Sequence, residues 1–309
     1  MKKIIQTEHL SKHYQKIRAV DNVSLEVAEG EIYGFIGLNG SGKTTTIRML
    51  LGLIRPTHGR CFLNSQQVKL SNFSLWEKVG YMVETPYAYP ELTVKENLDI
   101  FCRLRRISDP MAILRVMDHL KLAAYADKKA KHLSLGNAQR LGIAKALLHN
   151  PDILILDEPV NGLDPAGIVE VRELLQHLAV NENKTIFISS HLLDEVAKIA
   201  TKIGIIHEGC LLQEVESARL SRLLKQRLLL DSRHKKLAIS ALSEAGTNCF
   251  LNEEGLIESY DQSAIQNPDN IARLLVNKGC PPTRLAVEEE NLESYFLRAI
   301  GKKGEGGSE

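Results

Sequence analysis

The amino-acid sequence predicts an α/β fold, in which helices cover a mostly parallel sheet, followed by a small α+β domain. Three observations support this prediction. Up to about residue 215, short β-branched runs alternate with helical patterns, as expected for strands joined by crossover helices. Past residue 220, short strand and helix patterns resume without an obvious chemical motif. A chain of 309 residues suits one large domain with a smaller appendage.

The clearest strand patterns lie at residues 32–36, 79–83, 153–157, 185–189 and 203–207. Several of them lead into polar residues, and ligands bind at the carboxyl edge of open α/β sheets. Residues 95–131 have helical spacing with no strand pattern, which predicts a helical insertion at about 90–140. We therefore predict a first domain at 1–218, an α+β domain at 219–303 and a disordered tail at 304–309.

Composition and charge exclude several classes of protein. The 39 basic and 38 acidic residues leave a net charge of +1, which gives no support to a nucleic-acid partner. The five cysteines never form C-x-x-C, which argues against a disulfide framework or a zinc site and fits a reducing cytoplasm. The start is charged at once, unlike a signal peptide. No window approaches the roughly 18 apolar residues of a membrane helix, so any membrane part must come from another chain.

The run GLNGSGKTT matches the phosphate-binding pattern G-x-x-x-x-G-K-[ST] and lies between a strand pattern and a helical pattern. Its glycines let backbone N–H groups point inward, and the next helix adds its positive amino end. Lys43 is expected to reach the β- and γ-phosphates, and the Thr44 hydroxyl to ligate Mg²⁺. The expected nucleotide-binding residues of this loop are Gly37, Leu38, Asn39, Gly40, Ser41, Gly42, Lys43, Thr44 and Thr45.

A second strand pattern, DILILDEP, ends in two neighbouring acids, Asp157 and Glu158. Alternation along a strand makes their side chains point differently. Asp157 fits an acid on the metal side that acts through water, and Glu158 fits a base that polarises the attacking water. Paired acids at a strand end can also form an exposed turn, but the upstream phosphate loop favours the catalytic interpretation.

Between these elements lies HLSLGNAQRLGIAKALLHNP, and here the chain resembles the ATP-binding subunit of ABC transporters, whose signature is L-S-G-G-Q-x-Q-R. Leu135 and Asn137 depart from its commonest form. Without the resemblance, Ser134 is an ordinary helix N-cap. The resemblance implies that the segment binds the γ-phosphate held by a partner subunit, in a head-to-tail homodimer with two ATP molecules between the subunits. The implied contact residues are Leu133, Ser134, Leu135, Gly136, Asn137 and Gln139.

Other positions of the family pattern are also present. Tyr14 falls where the family has an aromatic residue that stacks on adenine, although a surface tyrosine on an edge strand is the alternative. His191 follows a strand pattern, where the family has a histidine that contacts the γ-phosphate. Val160 replaces the usual Thr or Ser after Glu-Pro. The loop implied to link the two sites across the dimer is Asn161, Gly162, Leu163 and Asp164.

Glu84 follows the strand pattern at 79–83, in the run GYMVETPYAYP. In most ABC ATPases this residue is Gln, which helps to hold Mg²⁺ and the attacking water, and its loop touches the permease. Glu84 is still an oxygen ligand but carries a negative charge and no N–H donor. The resemblance implies a catalytic and metal-binding role for Glu84, with Thr44 and Asp157 as the other metal ligands. A solvated loop acid is the alternative.

The chain is most similar to the bacitracin-resistance and lantibiotic-immunity exporter ATPases, which also have Glu at this position. The resemblance covers residues 3–215 densely, and the run NLESYFLRAIG matches the ending of such exporters. It implies an ATPase with ATP and Mg²⁺ that drives a separate multi-span permease and confers resistance or immunity to a peptide antibiotic. The implied location is the cytoplasmic face of the cell membrane, as a peripheral subunit.

Other kinds of ABC ATPase fit less well. Soluble translation factors of this family carry two cassettes in one chain, and this chain has one. Chromosome and repair ATPases have a long coiled coil between the phosphate loop and the acid strand, which this chain lacks. Importer ATPases with a sugar-sensing domain need a tail of many short strands. A transporter with another cargo remains an alternative, because cargo specificity lies in the permease.

Overall fold

The computed structural model describes residues 2–69, 71–84, 87–252, 254–290 and 292–304. The chain divides into two compact units, Met1–Ala218 and Arg219–Glu309. The first unit contains a six-stranded and a four-stranded sheet, and the second contains another four-stranded sheet. In the part of the chain that the structure describes, no helix has the length and apolar character needed to cross a membrane.

The first unit begins with a long hairpin and then alternates strands with helices. Its strands are β1 (Lys3–Tyr14), β2 (Ile17–Ala28), β3 (Ile32–Ile36), β4 (His58–Leu63), β5 (Gln66–Gln67), β6 (Val79–Met82), β7 (Ile153–Asp157), β8 (Thr185–Ser190), β9 (Lys202–His207) and β10 (Cys210–Glu216). Its helices are α1 (Lys43–Leu50), α2 (Phe73–Trp76), α3 (Val94–Leu104), α4 (Ala112–His119), α5 (Leu135–Leu147), α6 (Pro165–Glu182) and α7 (Leu193–Ala197), with α8 (Ser217–Leu223) at the boundary.

The six-stranded sheet has the order β10-β9-β3-β8-β7-β6. Strand β10 pairs antiparallel with β9, and the other neighbours are parallel. Strands β3, β7 and β8 are buried along their whole length, which explains their continuous apolar runs. Because β3, β8, β7 and β6 are parallel neighbours, their carboxyl ends meet at one edge. The phosphate loop, the two acids, His191 and Glu84 all follow these ends, so the sheet brings them to the same side.

The antiparallel sheet, of order β2-β1-β4-β5, shares one apolar cluster with α1 and the parallel sheet. This cluster includes Leu10 from β1, Ile47 from α1 and Phe35 from β3, each 0% exposed. Tyr33 and Phe187 stack within it, with ring centroids 5.3 Å apart. Full burial of a side chain of this size stabilises the fold by about 1.5–3 kcal/mol, so the cluster fixes the strands that carry the site.

The helical insertion lies between β6 and β7. Helix α3 begins with a capping box, in which Thr93 Oγ1 accepts from Glu96 N at 3.1 Å and Glu96 Oε2 accepts from Thr93 N at 2.7 Å. Short 3-10 turns at Ala123–Tyr125 and Ala130–His132 connect α4 to α5. The described residues from Val94 to Leu147 form helices, turns and loops, with one isolated bridge at Lys129, which confirms the helical insertion.

The second unit has strands β11 (Gln226–Ser232), β12 (Phe250–Leu251), β13 (Ile257–Ser259) and β14 (Pro282–Glu289), and helices α9 (Lys235–Glu244), α10 (Gln262–Gln266), α11 (Pro268–Asn277) and α12 (Leu292–Gly304). Its antiparallel order, β12-β13-β11-β14, together with the β-α-β-β-α-β succession, corresponds to the split βαβ motif. Leu228, Leu230, Leu242 and Leu275 belong to its apolar core. These features confirm the predicted α+β class of this part.

Two predicted boundaries differ from the structure. The strand predicted at 79–83 ends at Met82, because Glu84 adopts a left-handed backbone with φ of 60°, which is incompatible with an extended strand. The tail predicted at 304–309 lies outside the described residues, except for Gly304, which ends α12.

Candidate functional site

The phosphate loop, residues 37–45, connects β3 to α1, and its shape depends on glycine. Gly42 is the N-cap of α1 with φ of 108°, and a Cβ there would lie 2.5 Å from Ala19 O, so only glycine fits. The first N–H groups of α1 lack intrahelical acceptors and carry a partial positive charge. The Ser41 hydroxyl is buried and has no hydrogen-bond partner within the described residues. This orphaned donor and the helix end fit a phosphate group.

Lys43 is the first residue of α1 and is 6% exposed. Its Nζ donates to the carbonyl oxygens of Gly37 at 2.7 Å and Leu38 at 3.2 Å. The same Nζ lies 3.5 Å from Glu158 Oε1. The ammonium therefore lies over the loop, between the phosphate-binding backbone and the acid that follows β7.

Asp157 ends β7 and is 2% exposed. One carboxylate oxygen accepts from Thr44 Oγ1 at 2.8 Å, and the other accepts from the Ser189 hydroxyl of β8. The contact confirms that the structure brings Thr44 and Asp157 together. A hydroxyl and a carboxylate are oxygen donors of the kind that Mg²⁺ prefers, so this pair fits a magnesium site.

Glu158 has a left-handed backbone with φ of 51°, which is uncommon for a residue other than glycine and is often found at functional sites. Its Oε2 lies 2.8 Å from His191 Nδ1. Gln139 Nε2 donates to the backbone oxygen of Glu158 at 2.8 Å. The structure therefore brings Glu158, His191 and Lys43 into one cluster at the edge of the sheet, as the sequence predicts.

The signature segment opens α5. The Ser134 hydroxyl caps this helix by accepting from Asn137 N at 3.3 Å, and the Leu135 side chain is exposed. The link loop packs directly on the signature, since a Cβ on Gly162 would lie 2.4 Å from the Leu135 side chain. Asp164 then caps α6 by accepting from Gly167 N at 3.1 Å. The two segments line an open depression of about 610 Å³, so both signature and link loop face outward.

A charged triad borders this depression. Glu170 of α6 lies 2.6 Å from Lys121 Nζ and 2.6 Å from Arg140 Nη1. The hydrogen bond from Lys121, followed by that from Arg140, holds the pKa of the Glu170 carboxyl below its usual value. Glu170 thus joins α6, the signature helix and the segment after α4 through one carboxylate.

Tyr14 ends β1 at the tip of the first hairpin, and its ring is 44% exposed. Lys12 Nζ lies 5.0 Å from the ring centroid. Farther along the same hairpin, the Ala19 backbone contacts the phosphate loop at Gly42. An exposed aromatic ring therefore stands on the strand pair that borders the phosphate loop.

Glu84 has a partner that the sequence did not predict. Its exposed carboxylate forms an ion pair with Arg48 of α1. Within the described residues, no group of three or more His, Cys, Asp or Glu side chains could hold a metal ion. Glu84 and Asp157 therefore do not belong to a preformed acidic cluster, and the observed partner of Glu84 is a cation.

Comparisons with known proteins decide which family this geometry belongs to. Residues 20–161 match the sequence pattern of a protein family that is described as ABC transporter. The bacitracin transport ATP-binding protein BcrA of Bacillus licheniformis is 40% identical over 303 residues, which cover 97% of this chain and 98% of that protein. The chain belongs to the ABC transporter ATP-binding family. This ABC ATPase binds and hydrolyses ATP.

Two further similarities each cover more than two thirds of the chain. The lantibiotic transport ATP-binding protein SrtF of Streptococcus pyogenes is 35% identical over 233 residues, which cover 74% of this chain and 100% of that protein. A solved dimeric structure of the ATP-binding cassette MJ0796, in a post-hydrolysis state with ADP and phosphate, has a TM-score of 0.65 and 25% identity. It covers 69% of this chain and 99% of that chain. These matches confirm the predicted ABC ATPase fold.

Sequence reasoning missed two residues of the ABC ATPase that hold the acids in place. Ser189 supports Asp157 from a position 32 residues away, and Arg48 pairs with Glu84 from 36 residues away. The available signal for Ser189 was a hydroxyl at the end of a strand beside the acid strand. Arg48 lies four positions after Thr44, hence on the same face of α1.

Proposed function

We propose that this ABC ATPase is the motor of an exporter that removes a bacitracin- or lantibiotic-like peptide antibiotic through a separate membrane permease. The observation that carries the proposal is the 40% identity with a bacitracin transport ATP-binding protein over nearly the full length of both chains. The match to a lantibiotic transport relative supports the same class of cargo. The proposed location is the cytoplasmic face of the cell membrane.

A groove beside Glu84 supports a permease as the partner. Its volume is about 530 Å³, and its walls present the exposed side chains of Leu53, Tyr81, Tyr87 and Leu104. Exposed apolar groups gathered in one groove are typical of a protein-binding site. We call this surface, lined by these four residues with Arg48, Glu84, Phe101, Arg105 and Lys145, the docking groove. It would receive a helix of the permease.

The outward-facing signature supports a head-to-tail homodimer. Ser134 and the link loop line an open depression that no phosphate-loop residue lines. A nucleotide at Lys43 of one subunit would therefore meet Ser134 of the other. The dimeric MJ0796 cassette supports this arrangement by its fold and its two-subunit state.

Each side chain of the site has a separate proposed role in ATP hydrolysis. Lys43 and the amino end of α1 hold the phosphates, and Tyr14 stacks on the adenine. Glu158 accepts the proton of the attacking water, and His191 orients Glu158 and contacts the γ-phosphate. Mg²⁺, when held by Thr44 and Asp157 with Glu84 as a further ligand, would neutralise phosphate charge. ATP favours the closed dimer and hydrolysis removes that preference, so each cycle can move the permease.

The proposal is tested in the native host by replacing the chromosomal gene with its Lys43→Ala version. We expect the minimal inhibitory concentration of bacitracin or of a lantibiotic to fall to that of the deletion strain. An unrelated antibiotic should inhibit the wild-type and Lys43→Ala strains equally. The minimal inhibitory concentration should also fall in a strain that carries Ser134→Ala. Unchanged tolerance of every peptide antibiotic in the Lys43→Ala strain would refute export of this class.

A further inference from the structure

The loop after β6 is attached to two helices of the insertion. Asn97 of α3 is 0% exposed and holds the far end, because it accepts from Tyr89 N at 2.8 Å and donates to Tyr89 O at 3.1 Å. Lys145 of α5 holds the near end, because its Nζ donates to Tyr87 O at 2.6 Å. Tyr87 is three residues past Glu84 in the sequence, and it is the first described residue after that acid.

Lys145 is unusual for a lysine. Its side chain is 8% exposed, its Nζ lies 4.7 Å from the centroid of the Phe101 ring, and no carboxylate pairs with it among the residues that the structure describes. Burial lowers the pKa of Lys145 to about 8. A buried ammonium without a counter-ion is costly, and the hydrogen bond to Tyr87 O and the Phe101 ring offset part of that cost.

The helix that carries Lys145 contacts three parts of the site. Ser134 caps its start, Gln139 donates to the backbone of Glu158, and Lys145 holds the Glu84 loop at its last turn. The last turn also packs on β6, since a Cβ on Gly80 would lie 2.2 Å from Ala146 O. One helix therefore connects the signature, the backbone of Glu158 and the loop segment at Tyr87.

We propose that Lys145 is a positioning residue for ATP hydrolysis, which holds the Glu84 loop to the carboxyl end of the helix that begins at the signature. This inference rests on the ATP-sandwich dimer of the proposed function and is independent of the cargo. Lys145 acts through its hydrogen bond to the loop backbone at Tyr87. It sets the position of the loop that presents Glu84 to the site.

A pH test of Lys145 has to take account of the other charged and titratable groups near it. The other charged or titratable groups that line the docking groove are Arg48 of α1, Tyr81 of β6, Glu84 and Tyr87 of the loop, and Arg105. Arg48 and Glu84 pair with each other, and Arg105 donates to Trp76 O at 2.8 Å. Burial lowers the pKa of His149, one turn beyond Lys145, to about 4, so His149 stays neutral between pH 6.5 and 9.5. Lys145 itself is charged below about pH 8 and loses its charge above it.

The experiment measures kcat and KM for ATP of the full-length protein from pH 6.5 to 9.5, for the wild type, Lys145→Arg and Lys145→Met. We expect the wild-type kcat to fall several-fold above pH 8, because the neutral amine still donates to Tyr87 O but loses the charge that strengthens this hydrogen bond. In Lys145→Arg, which stays charged, this decline should disappear. The kcat of this variant at pH 7 should stay within about threefold of the wild-type value. In Lys145→Met, kcat should be about 10- to 100-fold lower at pH 7, the scale of a displaced catalytic group, with KM unchanged.

The matched control is Lys184→Met. Lys184 is also buried, at 6% exposed, and its Nζ donates to Asn150 Oδ1 at 2.6 Å, at the amino end of β8. Its kcat and pH profile should match the wild type. A decline above pH 8 that persists in Lys145→Arg, or an equal loss in Lys184→Met, would overturn the proposal. If Lys145→Met does not fold, the Lys145→Arg profile alone decides. If the ATPase profiles are as expected here but the Lys43→Ala strain keeps its peptide tolerance, the proposed cargo is refuted and this inference stays intact.

Discussion

The carboxylate of Glu158 accepts from His191 twice, from ring Nδ1 at 2.8 Å and from the backbone N–H at 3.3 Å. Strands β7 and β8 are parallel neighbours, so residues that follow them meet although 33 positions separate them. An ionised carboxylate has no proton to donate, so the proton of the ring contact lies on Nδ1. His191 thereby fixes Glu158 in one orientation beside Lys43, as the base that we propose for the attacking water would require.

Replacing Glu158 with Gln should retain ATP binding and lower kcat roughly 10²–10⁴-fold, the usual contribution of one acid–base group. The amide has a similar shape but cannot take the proton of water. ATP should then hold the protein as a dimer, measured by size-exclusion chromatography with light scattering. Hydrolysis at the wild-type rate would show that another residue is the base.

His191 and Glu158 should act as a unit. His191→Ala should lower kcat by about 10- to 100-fold, because Glu158 loses its orientation. The double variant His191→Ala/Glu158→Gln should have a kcat within about threefold of that of Glu158→Gln alone. His177→Ala, at an exposed position of α6, is the control and should hydrolyse ATP normally. Losses that multiply in the double variant would mean that His191 acts separately from Glu158.

Much of this site could be predicted from the sequence, because local patterns specify it. The phosphate loop, the acids after β7 and the Ser134 cap each occupy a few consecutive residues whose chemistry depends on spacing along one strand or helix end. The Arg48–Glu84 pair, the support of Asp157 by Ser189 and the anchoring of the loop by Lys145 depend on which strands and helices become neighbours. Long-range pairing of this kind leaves no periodic trace in one sequence. The order of the sheet in the second unit was unpredictable for the same reason.

Tyr14→Ala should weaken ATP binding by about 5- to 150-fold, because stacking of a base on an aromatic ring contributes about 1–3 kcal/mol. Tyr14→Trp should retain the affinity. Ile17→Ala is the control, since Ile17 is the cross-strand neighbour of Tyr14 and is 69% exposed. Titration calorimetry with ATP and with tripolyphosphate separates the two parts of the ligand. An equal loss of affinity for tripolyphosphate would place the effect of Tyr14 on the phosphates and contradict adenine stacking.

Glu84→Gln should alter the coupling of hydrolysis to transport more than nucleotide affinity, because the amide keeps an oxygen ligand but loses the charge that pairs with Arg48. Arg48→Met, which removes the same ion pair from the other side, should change coupling in the same direction. The measurements are peptide tolerance of cells and the dissociation constant for ATP of the purified protein. A loss of ATP affinity as large as the loss of tolerance would contradict this role.

Glu170→Gln should destabilise the first unit at pH 7 by about 1 kcal/mol, the upper range for a partly exposed ion pair. The folded-state pKa of Glu170 is lowered, so its stabilising contribution is complete above the ordinary pKa of 4.5 and is lost as pH falls through the folded value. The difference in unfolding free energy between wild type and Glu170→Gln should therefore shrink below about pH 4. Urea unfolding at several pH values measures it, with Glu173→Gln, an exposed acid of the same helix, as the control. A difference that stays constant down to pH 3.5 would show that Lys121 and Arg140 do not act through the charge of this carboxylate.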